Sequence, residues 1–322
     1  MGLGRSRILV TGATGFVGRA LCAEMQARGE VVVAATRSRP MDAGFSGQSV
    51  LVPDLIGGRD WSSVLDGVDS VVHLAARVHV MRDRESDPLA AFRQVNVQGT
   101  ERLARAASSS GVRRFIYISS IKVNGESTAP GRPFTSLDTP APRDAYGISK
   151  HEAESALLRI AEETGLEVVV IRPPLIYGAG VKANFHSMMQ WVQRGVPLPL
   201  GAIGNRRSLV ALDNLVDLIA VCLRHPQAPG NTFLASDGED LSTTDLLRRA
   251  AAALGVRARL IPVPAGILRA AAALVGKVDF AGRLLDSLQV DISDTKSILG
   301  WSPPVGVDEA LRSTARNLLM RS

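Results

Sequence analysis

Apolar runs and amphipathic stretches alternate along the first half of the chain. Ile8-Leu9-Val10 and Val31-Val32-Val33-Ala34-Ala35 are short apolar runs of the kind that a parallel sheet covers on both faces. Between them Val17, Leu21 and Met25 recur at helical spacing as far as Gly29. The rhythm continues through strands at Ser49–Val52, Ser70–Leu74, Arg114–Ile118 and Val168–Ile171. A long helix is predicted from about Pro88 to Gly111, and another through Tyr146 and Lys150 to about Gly165. This order predicts an α/β fold, a doubly wound parallel sheet with helices on both faces. After Pro173 the rhythm loosens, and glycines and prolines crowd positions 178–204. Helical patterns reappear around Phe185–Arg194, Asn214–Arg224, Ser242–Leu254 and Val307–Leu319. The expected organisation is a sheet domain over 1–175 and a smaller mixed lobe over 176–322. The two interleave, because a segment near 205–235 is expected to return to the sheet.

The first strand breaks into its helix through Thr11-Gly12-Ala13-Thr14-Gly15-Phe16-Val17-Gly18. Such a turn aims backbone N–H groups at the helix N-terminus, where the helix dipole also favours an anion. Gly12 permits the tight turn, Gly15 lets a pyrophosphate approach, and Gly18 allows close helix packing. This reading makes Gly12, Thr14, Gly15, Phe16, Val17 and Gly18 a cradle for a dinucleotide in an NAD(P)-binding Rossmann fold. The plain alternative is a glycine-rich turn with no ligand. An acidic residue after the second strand would bind the adenosine ribose and mark NAD. Here the strand runs into Thr36-Arg37-Ser38-Arg39. Arg37 and Arg39 stand where a 2′-phosphate would sit, which favours NADP(H) over NAD(H); a solvated basic loop end is the alternative.

Tyr146-Gly147-Ile148-Ser149-Lys150 places a phenol and an ammonium at i and i+4 on one helix face. A tyrosine, with an ordinary pKa of about 10, is a poor base until a neighbouring cation favours its phenolate. Lys150 is the expected cation and a candidate ligand of the nicotinamide ribose. Ser120, at the end of Arg114–Ile118, is the candidate that holds the substrate oxygen, with Ser119 as its neighbour. Together with the glycine turn, Ser120, Tyr146 and Lys150 point to hydride transfer at a carbonyl or hydroxyl.

Bulk properties narrow the reading only a little. The 322 residues carry a formal net charge of +6, spread among acidic neighbours as in Met81-Arg82-Asp83-Arg84-Glu85. No basic stripe or recognition motif suggests nucleic acid. Cys22 and Cys222 show no metal-ligand spacing, and His73, His79, His151, His186 and His225 are scattered, so no metal is expected. The apolar run after Arg5 and Arg7 is too short for a signal peptide. Ala265–Val275 is too short to span a bilayer and is expected to line the substrate lobe; membrane-surface contact is the lesser reading. A cytoplasmic enzyme without stable membrane insertion is the expectation.

These residues resemble the extended short-chain dehydrogenase/reductase superfamily, in its branch of nucleotide-sugar 4-epimerases, dehydratases and 4-ketoreductases. The likeness covers nearly the whole chain. It implies that Asp54 and Leu55 contact the adenine, that Leu74, Ala75 and Ala76 line the dinucleotide, and that Asn96 belongs to the same site. Pro173 falls in the nicotinamide-side segment. Asn184 resembles the asparagine at the sugar nucleotide diphosphate, and Arg207, ten residues before Asp217, the arginine that joins it there. A surface asparagine and a surface arginine are the alternatives. Dehydratases carry Asp-Glu after the catalytic hydroxyl; here Ile121 and Lys122 follow, and Ile121 cannot move a proton. Lys122 is instead counted with the substrate-binding residues. The segment Ser120–Glu126, with Gly180–Phe185, is similar to bacterial reductases of UDP-4-keto-6-deoxy-N-acetylhexosamines that serve surface-polysaccharide synthesis. NAD(P)H-dependent reduction of that C4 ketone is therefore the first expectation. A UDP-hexose or UDP-N-acetylhexosamine 4-epimerase with bound NAD is the second, and a non-catalytic dinucleotide sensor the third. Family analogy also implies a homodimer through the two long helices.

Overall fold

The computed structural model describes residues 6–42, 44–52, 54–56, 60–78 and 87–320. Arg5, His79 and the charged run 81–85 lie outside the described residues. The chain alternates strand and helix as expected: β1 (Arg7–Thr11), α1 (Phe16–Ala27), β2 (Val31–Thr36), β3 (Gln48–Leu51), α2 (Ser62–Leu65) and β4 (Ser70–His73). There follow α3 (Pro88–Phe92), α4 (Gly99–Ser109), β5 (Arg114–Ile118), α5 (Ala145–Thr164) and β6 (Glu167–Arg172). These strands and the later β9 (Thr232–Leu234) form a seven-stranded sheet in the order β3-β2-β1-β4-β5-β6-β9. Every pairing in it is parallel. All residues of β5 and all but the first of β2 and β6 are buried, the signature of a sheet covered on both faces. The order reverses between β1 and β4, which opens a crevice at their carboxyl ends.

The remaining elements build the lobe. β7 (Leu175–Tyr177), α6 (Ala183–Gln193), β8 (Arg207–Ala211), α7 (Leu212–Arg224), β10 (Asp240–Leu241) and α8 (Thr243–Ala253) come first. Then come α9 (Ala265–Leu274), α10 (Val278–Leu285), α11 (Ser293–Leu299) and α12 (Val307–Leu319). β7 and β8 pair parallel, and β10 joins β8 antiparallel, in a separate three-stranded sheet. The expected return of 205–235 is thus split. β8 stays with the lobe, whereas β9 completes the main sheet and α7 packs on α1. One core lies under α1 and α7 and another under α4 and α5. A third, around Phe185, Leu247 and Leu311, belongs to the lobe.

The helix expected over 88–111 is interrupted by a π-helical segment, Arg93–Gln98. Its wider turns bring Asn96 inward, where it is buried. Arg114 is likewise buried at the start of β5. Its guanidinium donates to the carbonyls of Cys222 (2.8 Å) and His225 (3.0 Å), so it caps the carboxyl end of α7, and it pairs with Glu167.

Candidate active site

The glycine turn is built as its spacing predicts. Gly12 has φ +67°, and a Cβ there would lie 2.8 Å from Ala75 N. A Cβ on Gly15 would meet Gly12 O at 3.0 Å, and one on Gly18 the same oxygen at 2.2 Å. Gly18 therefore packs against the turn itself. Gly15 N donates to Gly12 O at 2.9 Å, and α1 starts at Phe16 with Gly15 at its N-cap and no side-chain cap. The first amides of α1, beside Thr14, Phe16 and Val17, are left to an anion. Thr36 Oγ1, at the carboxyl end of β2, is buried with no hydrogen-bond partner among the described residues. That is where a Rossmann site holds the adenosine ribose. The cradle and this orphaned hydroxyl fit a nicotinamide dinucleotide. Arg37 and Arg39 follow Thr36 and are exposed.

A directed chain of hydrogen bonds braces the crevice from below. Ala75 N donates to Thr11 Oγ1 (3.2 Å), and Thr11 Oγ1 lies 2.7 Å from His73 Nδ1. His73 Nε2 lies 2.9 Å from Thr100 Oγ1, which donates to Asn96 O at 2.6 Å. Because the Thr100 proton is used on Asn96 O, His73 must donate from Nε2. Nδ1 then accepts the proton of Thr11. His73 is fully buried, and burial, followed by the charge of Lys150, pushes its pKa down to about 3.

Asn96 is a brace of the same kind. Its Oδ1 accepts from Arg77 N at 2.7 Å, and its Nδ2 donates to Arg77 O (3.1 Å) and Ser149 Oγ (3.0 Å). Ser149 donates in turn to Tyr146 O at 2.8 Å. The Asn96 amide thus ties Arg77 to Ser149 and helps position α5. Leu74, Ala75 and Ala76 continue β4 along the crevice, half-buried. Asp54 Oδ1 accepts from Ile56 N at 2.8 Å, and Leu55 rests on α4, where a Cβ on Gly99 would come 3.0 Å from Leu55 Cβ.

Tyr146, Ser120 and Lys150 converge. Asp144 caps α5 by accepting from Gly147 N at 2.7 Å. Gly147 lets the helix close on the Ser120 turn, since a Cβ there would stand 3.0 Å from Lys122 O. Ile121 N donates to Pro173 O at 3.0 Å, which ties that turn to the end of β6. Ser120 Oγ accepts from Lys122 N at 3.3 Å and lies close enough to Tyr146 to draw its pKa down. Lys150 Nζ donates to Ile118 O at 2.7 Å and sits 4.4 Å from the Tyr117 ring centroid and 6.0 Å from that of Tyr146. Beneath it Glu154 and Arg172 form a buried ion pair (2.6 and 3.0 Å), and Arg172 Nη1 donates to Asn124 Oδ1 at 3.0 Å.

Burial, then Asp144, pushes the Tyr146 phenol up to about 12, and Ser120 opposes this only in part. Burial also brings Lys150 down to about 7, against the pull of Glu154. Lys150 Nζ, 6.0 Å from the Tyr146 ring centroid, spends one of its donors on Ile118 O.

The lobe residues are less concentrated. Lys122, expected to meet substrate, is held in ion pairs by Asp144 and Glu126. Asn184 is exposed in the first turn of α6. Arg207 Nη1 donates to Asp286 O at 3.0 Å, beside a cavity of about 450 Å³ lined by Asn205, Arg269, Asp286 and Ser287. Asp217 pairs with Arg28 and Trp301, away from Arg207. Among the described residues no cluster of His, Cys, Asp or Glu could hold a metal.

The model of the NAD dependent epimerase/dehydratase family matches residues 8–235. The UDP-glucose 4-epimerase of Vibrio cholerae is 46% identical over 313 residues, which covers 97% of this chain and 95% of that protein. The N-acetyl-alpha-D-glucosaminyl-diphospho-ditrans,octacis-undecaprenol 4-epimerase of Escherichia coli O157:H7 is 27% identical over 274 residues, covering 81% and 77%. The solved structure of MoeE5 in complex with UDP-glucuronic acid and NAD superposes with a TM-score of 0.79 at 25% identity, covering 98% of this chain and 100% of that one. With a glycine cradle, a Ser-Tyr-Lys constellation and a seven-stranded parallel sheet in place, the chain belongs to the NAD dependent epimerase/dehydratase family.

Proposed function

We propose that this protein is a 4-epimerase of a UDP-hexose or UDP-N-acetylhexosamine. The observation that carries the reading is the 46% identity, over nearly the full length of both chains, to the Vibrio cholerae UDP-glucose 4-epimerase. It favours epimerisation over the C4-ketone reduction suggested by the Ser120–Glu126 segment.

The site's residues suit the reaction. A bound nicotinamide dinucleotide supplies the acceptor, and then the donor, of the C4 hydride. Tyr146 Oη exchanges the proton of O4, and the Ser120 hydroxyl holds that oxygen. Lys150, fixed on Ile118 O, orients the nicotinamide ribose. Ile121 stands where elimination would need an acid, so the 4-keto sugar is kept from losing water. Arg207 and Asn184 hold the diphosphate, a task that suits a guanidinium fork. Arg37 and Arg39 select a 2′-phosphorylated dinucleotide, and the same observation favours the second reading, an NADPH-consuming 4-ketoreductase.

One experiment separates the two. The purified protein is incubated with UDP-glucose and UDP-N-acetylglucosamine without added cofactor, and the C4 epimers are resolved by chromatography. Dinucleotide released by heat is assayed for its 2′-phosphate. Interconversion supports the epimerase. Failure to interconvert, with stoichiometric NADPH oxidation by a UDP-4-keto-6-deoxy-N-acetylhexosamine, establishes the reductase instead. Released NAD alone would reject the role given to Arg37 and Arg39.

A further inference from the structure

The hairpin of α9 and α10 breaks the usual rule for apolar helices. α9 turns Ala265, Leu268 and Ala272 inward, onto Ile203, Ala281 and Leu285. Its outer face repeats the pattern: Ile267, Ala270, Ala271 and Leu274 stand at i, i+3, i+4 and i+7, all exposed. Leu274 is 89% exposed and Ile267 60%. The stripe continues around the turn through Val275, Val278 and Phe280, each about half exposed or more. A helix apolar on all sides is ordinarily buried, yet no residue of α9 is.

The charge around this stripe is one-sided. From Arg257 to Asp286 the chain carries five basic residues and two acidic ones, Asp279 and Asp286, whereas the whole protein is nearly balanced, 37 against 31. Arg257, Arg259, Lys277 and Arg283 are exposed. Arg269 is tied to Asp286 at 2.6 Å, which holds the hairpin against the lobe.

We propose that the α9–α10 hairpin is an interfacial docking element for an anionic lipid bilayer. An apolar stripe with a basic flank suits a helix that lies in the headgroup plane, with its apolar side chains among the acyl ends and its cations among lipid phosphates. The hairpin does not span, since no helix among the described residues is long and apolar enough to cross a membrane. A second copy of this chain suits the patch less well. A two-fold contact would set the basic flank against itself. Docking would hold one wall of the 450 Å³ cavity, formed by Ala265, Arg269 and Leu285, at headgroup depth. The inference does not depend on which C4 chemistry the protein performs.

Vesicle flotation tests it. The full chain is mixed with phosphatidylcholine vesicles, with and without phosphatidylglycerol, at low and physiological salt. The protein is expected to float with the anionic vesicles and to be released by added salt. Ile267→Glu with Leu274→Glu should weaken binding by about tenfold or more per side chain. The fold should persist, because both positions are exposed; thermal unfolding checks this, and turnover of a soluble sugar nucleotide should be unchanged. Lys277→Glu with Arg283→Glu offers an independent variant that should remove the salt-sensitive share of binding. No flotation of the unaltered protein on anionic vesicles would overturn the proposal. So would a dimer in sedimentation that falls apart in the Ile267→Glu, Leu274→Glu variant, which would assign the patch to a second copy.

Discussion

Lowering the pH from 7 to 5 should destabilise this protein through one residue in particular. His73 is locked neutral between Thr11 and Thr100, and burial holds its pKa at about 3 against an ordinary 6.5. A histidine depressed in the folded state contributes fully above the unfolded value, and that contribution is lost as the pH falls toward the folded value. The window here is pH 6.5 to 3. At about 1.36 kcal/mol per pK unit, roughly 2 kcal/mol should be gone at pH 5. Urea unfolding at pH 7 and pH 5 measures the loss. Carboxylates titrate as well, so the comparison is with His73→Gln, whose amide can replace one donor and one acceptor without a charge. The unaltered protein should lose about 2 kcal/mol more than the variant between the two pH values. Nitrogen NMR gives a check that does not require the variant to fold: His73 should carry its proton on Nε2 and show no titration between pH 5 and 8. Equal pH sensitivity in the two proteins, or a His73 that titrates near 6.5, would refute the argument.

Three further outcomes are expected. Tyr146→Phe should lower turnover by about 10²–10⁴-fold while the bound dinucleotide, measured by heat release, is retained. Glu154→Gln leaves the buried Arg172 unpaired and should cost about 3–5 kcal/mol in denaturant unfolding; Glu154→Leu with Arg172→Met should recover much of it. Gly18→Ala drives a Cβ to 2.2 Å from Gly12 O, so the unfolding temperature should fall by the equivalent of about 1–3 kcal/mol, with loss of bound dinucleotide.

Local features of this protein could be read from its sequence because their causes are local. A run such as Ile8–Val10 that breaks at Gly12 has few conformations open to it, and Tyr146 and Lys150 share a face on any helix. What escaped reading depends on partners far along the chain. That Arg77 and Ser149 take up the Asn96 amide is one such feature, since nothing near Asn96 in the chain shows it. The π-helical segment around it leaves no periodic trace, since it is stabilised from outside the helix. The Glu154–Arg172–Asn124 network joins α5, β6 and the turn after β5, and no spacing announces it. β8 has the apolar character of a main-sheet strand, and only its pairing with β7 and β10 places it in the lobe. The ion pair of Lys122 with Asp144, twenty-two residues on, is likewise invisible to local pattern.

Gly147 has a mechanical consequence. Because α5 touches the Ser120 turn through a residue with no side chain, the phenol and the hydroxyl are fastened to one another by backbone, and the turn is fastened to the sheet through Pro173. In the proposed epimerisation neither group can follow a sugar that turns over between the two half-reactions. On that reading any change of pose falls to the lobe, where Gly178 and Gly180 join its first strand to α6 with φ of 153° and 85°. Changes that loosen that junction should alter how readily a sugar presents its second face, and leave the speed of each hydride transfer where the sheet has set it.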